Sequence, residues 1–273
     1  MSDPAPTSED SAARPAPRRR WRRRFAVSVV PLVLGLYSWQ VEPYWGEVTE
    51  HSVGAGPASI RVLQITDVHI HALGALEQWV FDTVAARQPD LIVITGDTVN
   101  SPLPEAEREA AVEFLRRLDA PLGVYAVTGN HDVWAGERGT SCFPEAGVPL
   151  LDGKQVTLLD GRLTLQGLAD ARSTPLPATA GFDVALCHYP ASFTRASEAK
   201  LELLLAGHSH GGQIQVPLWG ALKLPYDCDG YAEGWFAQGD TRMFVCRGVG
   251  TSVAPLRFAC RPELAEITIH LPE

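Results

Sequence analysis

Between residues 60 and 130 three apolar runs each stop on a residue able to bind a metal, and two amphipathic stretches separate them. The first run, 60–66, stops at Asp67. Residues 73–87 place Leu73, Leu76, Val80 and Val84 on one face, the spacing of a helix. Leu91-Ile92-Val93-Ile94 is a continuous apolar run of the kind that fills a strand buried on both faces, and it stops at Gly96-Asp97. Residues 105–118 form a second amphipathic pattern with acids in its first turn and Ala111, Phe114, Leu115 and Leu118 facing inward. The third run, 122–128, stops at Gly129-Asn130. Strand, helix, strand, helix, strand is the opening of a largely parallel sheet covered by helices, so the chain is α/β.

Beyond residue 150 the pattern changes. Residues 156–159, Asp160-Gly161 and 162–166 read as a hairpin. Two further apolar runs, 184–186 and 203–205, lead to Cys187-His188-Tyr189 and Gly207-His208-Ser209-His210. From Gln213 onward the chain is rich in Gly, Pro and aromatics, which suits an antiparallel sheet. The stretch 53–58 reads as a linker ahead of the first strand. Ligands in open α/β sheets collect beyond the carboxyl ends of the strands, so five strand ends can converge on one cleft.

Each cluster alone reads as an ordinary turn or a half-buried imidazole; their conjunction at strand ends carries the inference. Asp67 and His69 are two apart, which on extended chain points both to one face. His208 and His210 repeat that spacing, so one can serve each of two ions. Asn130 offers a neutral amide oxygen, and Asp97 has two free oxygens with which to bridge two cations. Carboxylate, amide and imidazole together suit a pair of divalent cations such as Mn, Fe, Zn, Co or Mg. Such pairs serve mainly to cleave phosphate esters.

The termini and composition limit the partners. Residues 1–24 form a basic tail with seven Arg against three acids, rich in Pro, Ala and Ser and expected to be disordered. An apolar run, 25–41, follows; Pro31 and Gly35 interrupt it and Trp39, Tyr44 and Trp45 mark its far end. It reads as a membrane anchor or signal-anchor. By the positive-inside rule its basic end stays cytoplasmic and the catalytic domain lies outside the cytoplasm. The alternative is a helix lying on the membrane surface with the domain cytoplasmic. Arg22-Arg23-Arg24-Phe25 is similar to a twin-arginine export signal, with Trp21 where Ser or Thr is usual. Residues 42–59 are read as linker and 60–271 as one domain. Formal net charge is -9, and an acidic body does not grip a nucleic-acid backbone. No protein partner is expected. Five scattered cysteines without CxxC spacing give neither a disulfide framework nor a zinc knuckle.

The motifs Asp67-Val68-His69, Gly96-Asp97, Gly129-Asn130-His131-Asp132 and Gly207-His208-Ser209-His210-Gly211-Gly212-Gln213 resemble those of the calcineurin-like metallophosphoesterase family, and most of all its small membrane-anchored bacterial branch. Arg247-Gly248-Val249-Gly250, Arg257-Phe258 and Arg261-Pro262-Glu263 extend the likeness, which covers about residues 42–270. The resemblance implies a four-layer α-β-β-α sandwich of two mixed sheets. It places Asp67, His69 and His210 on one metal, Asn130, His188 and His208 on the other, and Asp97 between them. His131 becomes a catalytic residue with Asp132 orienting its ring, and Asp170 and Arg247 support the site or touch phosphate. Cys187 precedes His188 where some members have Gly. The implied reaction is hydrolysis of a phosphodiester or pyrophosphate by a hydroxide held between the metals. A lipid or cell-envelope ester is one candidate substrate, and the UDP-2,3-diacylglucosamine pyrophosphatases of lipid A synthesis are one type of relative. The alternative of another class is a catalytically silent metal- or phosphate-binding membrane protein.

Overall fold

A computed structural model describes residues 17–272, with side chains from residue 29 onward. The chain divides into two units, Met1–Tyr37 and Ser38–Glu273. Helix α1 (Pro17–Gln40) has Pro31 inside it and exposes Val30, Leu32, Val33, Leu34 and Leu36. Of the expected basic tail, residues 1–16 lie outside the described residues. Residues 17–24 are helical rather than irregular, in keeping with the helix propensity of Arg. No helix among the described residues is long and apolar enough to cross a membrane.

The strands fall into two sheets. In the first, β1 (Glu47–Gly54), β2 (Ala58–Ile65), β3 (Leu91–Thr95) and β4 (Val124–Val127) are joined by α2 (Ala75–Arg87) and α3 (Glu105–Arg116). Short helices α4 (Asn130–Trp134), α5 (Glu137–Thr140) and α6 (Cys142–Glu145) lead to the second sheet. That sheet holds β5 (Gln155–Leu158), β6 (Leu163–Leu168), β7 (Phe182–Cys187) and, after α7 (Phe193–Glu198), β8 (Leu203–Ala206). A small antiparallel hairpin, β9 (Gln215–Val216) and β10 (Gly220–Ala221), precedes β11 (Gly234–Gln238) and β12 (Thr241–Val245). The last strand, β13 (Glu263–Leu271), returns to the first sheet.

Strand orders are β1-β13-β2-β3-β4 and β11-β12-β8-β7-β6-β5. β2, β3 and β4 pair in parallel, as do β6, β7, β8 and β12, which confirms the parallel-rich opening. Alternation along β2 explains the layering. Leu63 and Ile65 face α2 and α3, where they meet Val80, Phe114 and Leu115. Val62 faces the other way and packs in one core with Val93, Ile267, Leu165, Val184, Leu205 and Phe244, so the two sheets bury each other. On the far side, Ala185, Leu204 and Val245 meet Phe193 and Ala196 of the short helix α7.

Two expectations are corrected. Residues 42–59 are not a linker: Glu42–Tyr44 is a 3-10 turn and β1 is the parallel neighbour of β13. The polar-rich Glu47-Val48-Thr49-Glu50-His51 of this edge strand is half-buried or exposed throughout, and only Val53 is buried, which hides the strand from an apolar-run criterion. The chain after Gln213 is not one antiparallel sheet. β12 joins β8 in parallel and β13 enters the first sheet between β1 and β2. All five cysteines are buried.

Arg247 ties these edges together. It pairs with Glu47, with Glu233 at 3.3 Å and with Glu263 at 3.1 Å. Burial alone would raise the Glu263 carboxyl, but the Arg247 charge and hydrogen bonds overcome it and hold the group below its usual 4.5. A depressed carboxylate stabilises the fold above the unfolded-state value and loses that contribution as pH falls through the folded value. Glu263→Gln is therefore expected to lower stability at pH 7 and to flatten the acid limb of a stability-against-pH curve below about pH 4.5, as followed by urea denaturation.

Candidate dinuclear metal centre

The loops after β2, β3, β4, β7 and β8 meet at one end of the two sheets. Backbone bonds fasten them to each other: Asp67 N–H to Gly96 O at 2.9 Å, His69 N–H to Asp97 O at 3.1 Å, and Gly207 N–H to His188 O at 3.1 Å. Five candidate ligands hold left-handed backbone: Asp67 (φ 52°), His69 (49°), Asp97 (52°), His208 (68°) and His210 (50°). Non-glycine residues seldom take this conformation, and such strain collects at functional sites held by their surroundings. Gly96, at φ 93°, has a second constraint: a Cβ there would stand 2.6 Å from His188 Nδ1.

Ligand atoms fall into two sets. In the first, His210 Nε2 lies 3.2 Å from both Asp67 Oδ1 and His69 Nε2. In the second, His188 Nε2 lies 3.0 Å from His208 Nδ1 and 3.2 Å from Asn130 Oδ1. Asp97 Oδ2 belongs to both, 3.6 Å from His69 Nε2 and 3.3 Å from His188 Nε2. Its other oxygen accepts the His131 N–H at 2.8 Å. All these ligands are buried.

The other ring nitrogens fix the chemistry of the second set. His188 Nδ1 donates to Thr95 O at 2.9 Å and His208 Nε2 donates to Tyr226 O at 2.8 Å. In the neutral rings the nitrogens turned toward each other then both carry lone pairs, and the Asn130 and Asp97 oxygens beside them are acceptors as well. Acceptors gathered this closely call for a positive charge among them, a proton on His188 or a metal ion in its place. Two ligands about 2.1 Å from a shared ion and roughly a right to tetrahedral angle apart stand about 3.0–3.4 Å from one another, which matches these spacings. In the first set the Asp67 Oδ2 atom is engaged by Thr66 Oγ1 and the His208 N–H, while Oδ1 is buried with no donor. The donor sets fit two divalent cations.

Electrostatics agree. Burial lowers His69 to about 4 and His208 to about 3, so both stay neutral and able to ligate. Burial would also lower His188, but the Asp97 charge raises it to about 9: the cluster draws positive charge to this spot. Burial raises Asp67 to about 6. Asp97 stays ionised, because His188 and His69 outweigh the effect of its burial.

Three expected roles change. Asp132 does not orient the His131 ring. Its carboxylate accepts four backbone N–H groups, from Asp97 (2.8 Å), Thr98 (3.0 Å), Val99 (3.0 Å) and Gly129 (2.8 Å), so it clamps two ligand loops together. His131 Nδ1 is buried without a partner. Its ring packs edge-on to His69 and against Trp134. Arg247 is not brought to the cluster, because its guanidinium is engaged by Glu47, Glu233 and Glu263. Asp170 instead caps its own turn at Arg172 and Ser173.

Two other contributors have roles that no local pattern in the sequence gives. Asn100 Oδ1 faces His69 Nδ1 at 3.1 Å. Arg257 is fully buried and donates to the carbonyls of Arg247, Gly248, Gly250 and Cys260. The loop it holds donates from Val249 to Thr66 O and from Gly250 to Asp67 O.

Fold and site together define a metal-dependent phosphoester hydrolase. The calcineurin-like phosphoesterase family matches residues 60–212, more than half of the chain. The metallophosphoesterase YkuE of Bacillus subtilis is 31% identical over 260 residues, covering 85% of this chain and 88% of the relative. The phosphodiesterase YaeI of Escherichia coli is 28% identical over 269 residues, covering 92% and 98%. A transmembrane protein with metallophosphoesterase domain from Danio rerio is 26% identical over 237 residues, covering 77% and 53%. The chain belongs to the calcineurin-like phosphoesterase family, whose members depend on two metal ions.

Proposed function

We propose that the enzyme hydrolyses a phosphodiester or pyrophosphate bond, with Asp67, His69 and His210 holding one cation, Asn130, His188 and His208 the other, and Asp97 both. The carrying observation is the position of Asp97 Oδ2 within 3.6 Å of a ligand nitrogen in each set. When bound, such a cation pair lowers the pKa of a water for in-line attack and offsets charge on the phosphoryl oxygens. Around it, Thr95 O, Asn100 and Tyr226 O hold the imidazoles in the ligating tautomer and orientation. Asp132 fixes the two loops that carry Asp97 and Asn130. His131 lines the cavity beside the cluster, and that position supports assigning it the delivery of a proton to the departing oxygen.

His131→Ala tests that role. Turnover of bis(p-nitrophenyl) phosphate with Mn²⁺ is expected to fall by about 10²–10⁴-fold, with the bound metal count unchanged. A wild-type protein with two bound metals and no turnover of any phosphate ester would sink the enzymatic reading in favour of a silent binding protein. The YaeI relative is named a phosphodiesterase, which favours diesters over monoesters.

Membrane attachment through residues 25–41 forms part of the proposal. The arginine run before it and the exposed apolar side chains from Val30 to Leu36 support this reading, as does the word transmembrane in the name of the Danio rerio relative. Alkaline-carbonate extraction of membranes tests it: release of the full-length chain would refute it. Protease shaving of intact cells then distinguishes the extracytoplasmic domain from a cytoplasmic one.

A further inference from the structure

Two cavities that differ in the charge of their walls adjoin the metal cluster. The first, about 420 Å³, opens on Asp97, His131, His208 and His210. Its remaining wall is mainly apolar, carried by Ile214, Leu224, Pro225, Val253 and Leu256. The second, about 480 Å³, brings the charged groups of Asp152, Lys154 and Asp170 into a wall that also holds Val133, Leu150 and Ala169. Asn130 and Trp134 line both. A phosphoryl group held by the cluster thus has an apolar chamber on one hand and, on the other, one in which Asp152, Lys154 and Asp170 add charge to a mixed wall. The apolar wall also continues outward. Ile214 leads into the β9–β10 hairpin, where Leu218, Trp219 and Leu222 stand in solvent, and Val253 is fully exposed at the rim.

A symmetric, wholly polar diester leaves the first chamber's apolar wall unused. A diester with two greasy arms would strip water from Asp152, Lys154 and Asp170 without replacing it, which is unfavourable. Both chambers fall in the size range of small-molecule sites. We propose that the substrate is an amphiphilic phosphodiester or pyrophosphate, with a hydrocarbon arm against Ile214, Leu224, Val253 and Leu256 and a polar arm rich in hydroxyls or amides against Asp152, Lys154 and Asp170. This rests on the phosphodiester reading above. It adds which arm each cavity takes.

The test uses p-nitrophenyl diesters that share a reporter group. For the apolar chamber, the methyl and octyl p-nitrophenyl phosphates are compared below the concentration at which the octyl ester aggregates. Each fully buried methylene contributes about fourfold, so partial burial of the chain should make kcat/KM at least about tenfold higher for octyl. Leu224→Asn and the solvent-exposed Val253→Asn should each bring the octyl-to-methyl ratio toward one; Val253 is exposed enough that its replacement does not threaten the fold. For the second chamber, p-nitrophenyl thymidine 5′-phosphate should be preferred over the methyl ester, and Lys154→Ala should erode that preference. Turnover of the methyl ester with an octyl-to-methyl ratio near one overturns the proposal while leaving the diesterase reading standing. So does a high ratio that survives both wall substitutions, and so does a nucleoside preference that is absent or indifferent to Lys154. Failure to cleave any of the esters removes the diesterase reading and this proposal with it.

Discussion

Asp97→Asn is expected to abolish metal-dependent hydrolysis, lowering kcat by about three orders of magnitude or more, on the order of 4 kcal/mol of transition-state stabilisation. The reason is geometric. One oxygen of Asp97 serves both donor sets, and the other accepts the His131 N–H at 2.8 Å. An amide at this position presents a single acceptor oxygen, which can satisfy His131 or ligate, but has no second carbonyl to do both. The substitution also removes a buried negative charge that lies 3.3 Å from His188 Nε2 and 3.6 Å from His69 Nε2, and with it that charge's attraction for a cation in either set. Metal analysis should show fewer than two ions per chain, so a variant that keeps two ions and full activity would refute the shared-oxygen geometry. The Asp132 clamp binds the Asp97 backbone rather than its side chain, so near-wild-type secondary structure is expected by circular dichroism.

Arg257→Met should be the most destabilising single change outside the metal cluster. Arg257 is a fully buried cation with no carboxylate in hydrogen-bond reach; four residues supply carbonyl oxygens to it instead. Methionine fills similar space and donates nothing. Each stranded acceptor costs about 1–3 kcal/mol, and water relieves some of them, so a net loss on the order of 3 kcal/mol is expected. For a body of this size that corresponds to a melting temperature lower by roughly 6–12 °C. The loop from Arg247 to Gly250 would loosen first. Because Val249 and Gly250 donate to Thr66 O and Asp67 O, the backbone that sets Asp67 would loosen with it. Calorimetry checks the stability, and weaker retention of metal during dialysis checks the link to Asp67. A melting temperature within a degree or two of wild type would show that the carbonyl shell does not depend on this guanidinium.

Much of this architecture is legible in the chain. Leu91-Ile92-Val93-Ile94 is apolar on both faces and lies in the interior of the first sheet. The helices at 75–87 and 105–116 differ from their expected bounds by two residues at one end, the usual uncertainty of helix termini. The candidate ligands lie in clusters that follow apolar runs, a local signal that the fold converts into proximity. What stayed hidden depends on distant partners. Glu47–Gly54 looks like a connector because a polar-rich edge strand carries no apolar run. The direction of β12 is set by β8, nearly forty residues earlier, and nothing within Thr241–Val245 encodes it. Asp132 follows His131 in sequence, which suggests a direct pairing. The α4 turn instead points its carboxylate at the N–H groups of Gly129 and of residues 97–99. Arg257 lies within the Gly- and Pro-rich stretch that begins at Gln213, and only the folded loop reveals that its side chain lies in the core.

The donor sets draw on both halves of the sandwich. Asp67, His69, Asp97 and Asn130 follow strands of the first sheet, and His188, His208 and His210 follow strands of the second. A chain that has assembled only one sheet offers an incomplete coordination shell, so tight loading must come late, after the long-range docking of the two sheets. Once seated, the ions act as rivets across the seam, and chelation should let the halves breathe against each other before either one unravels.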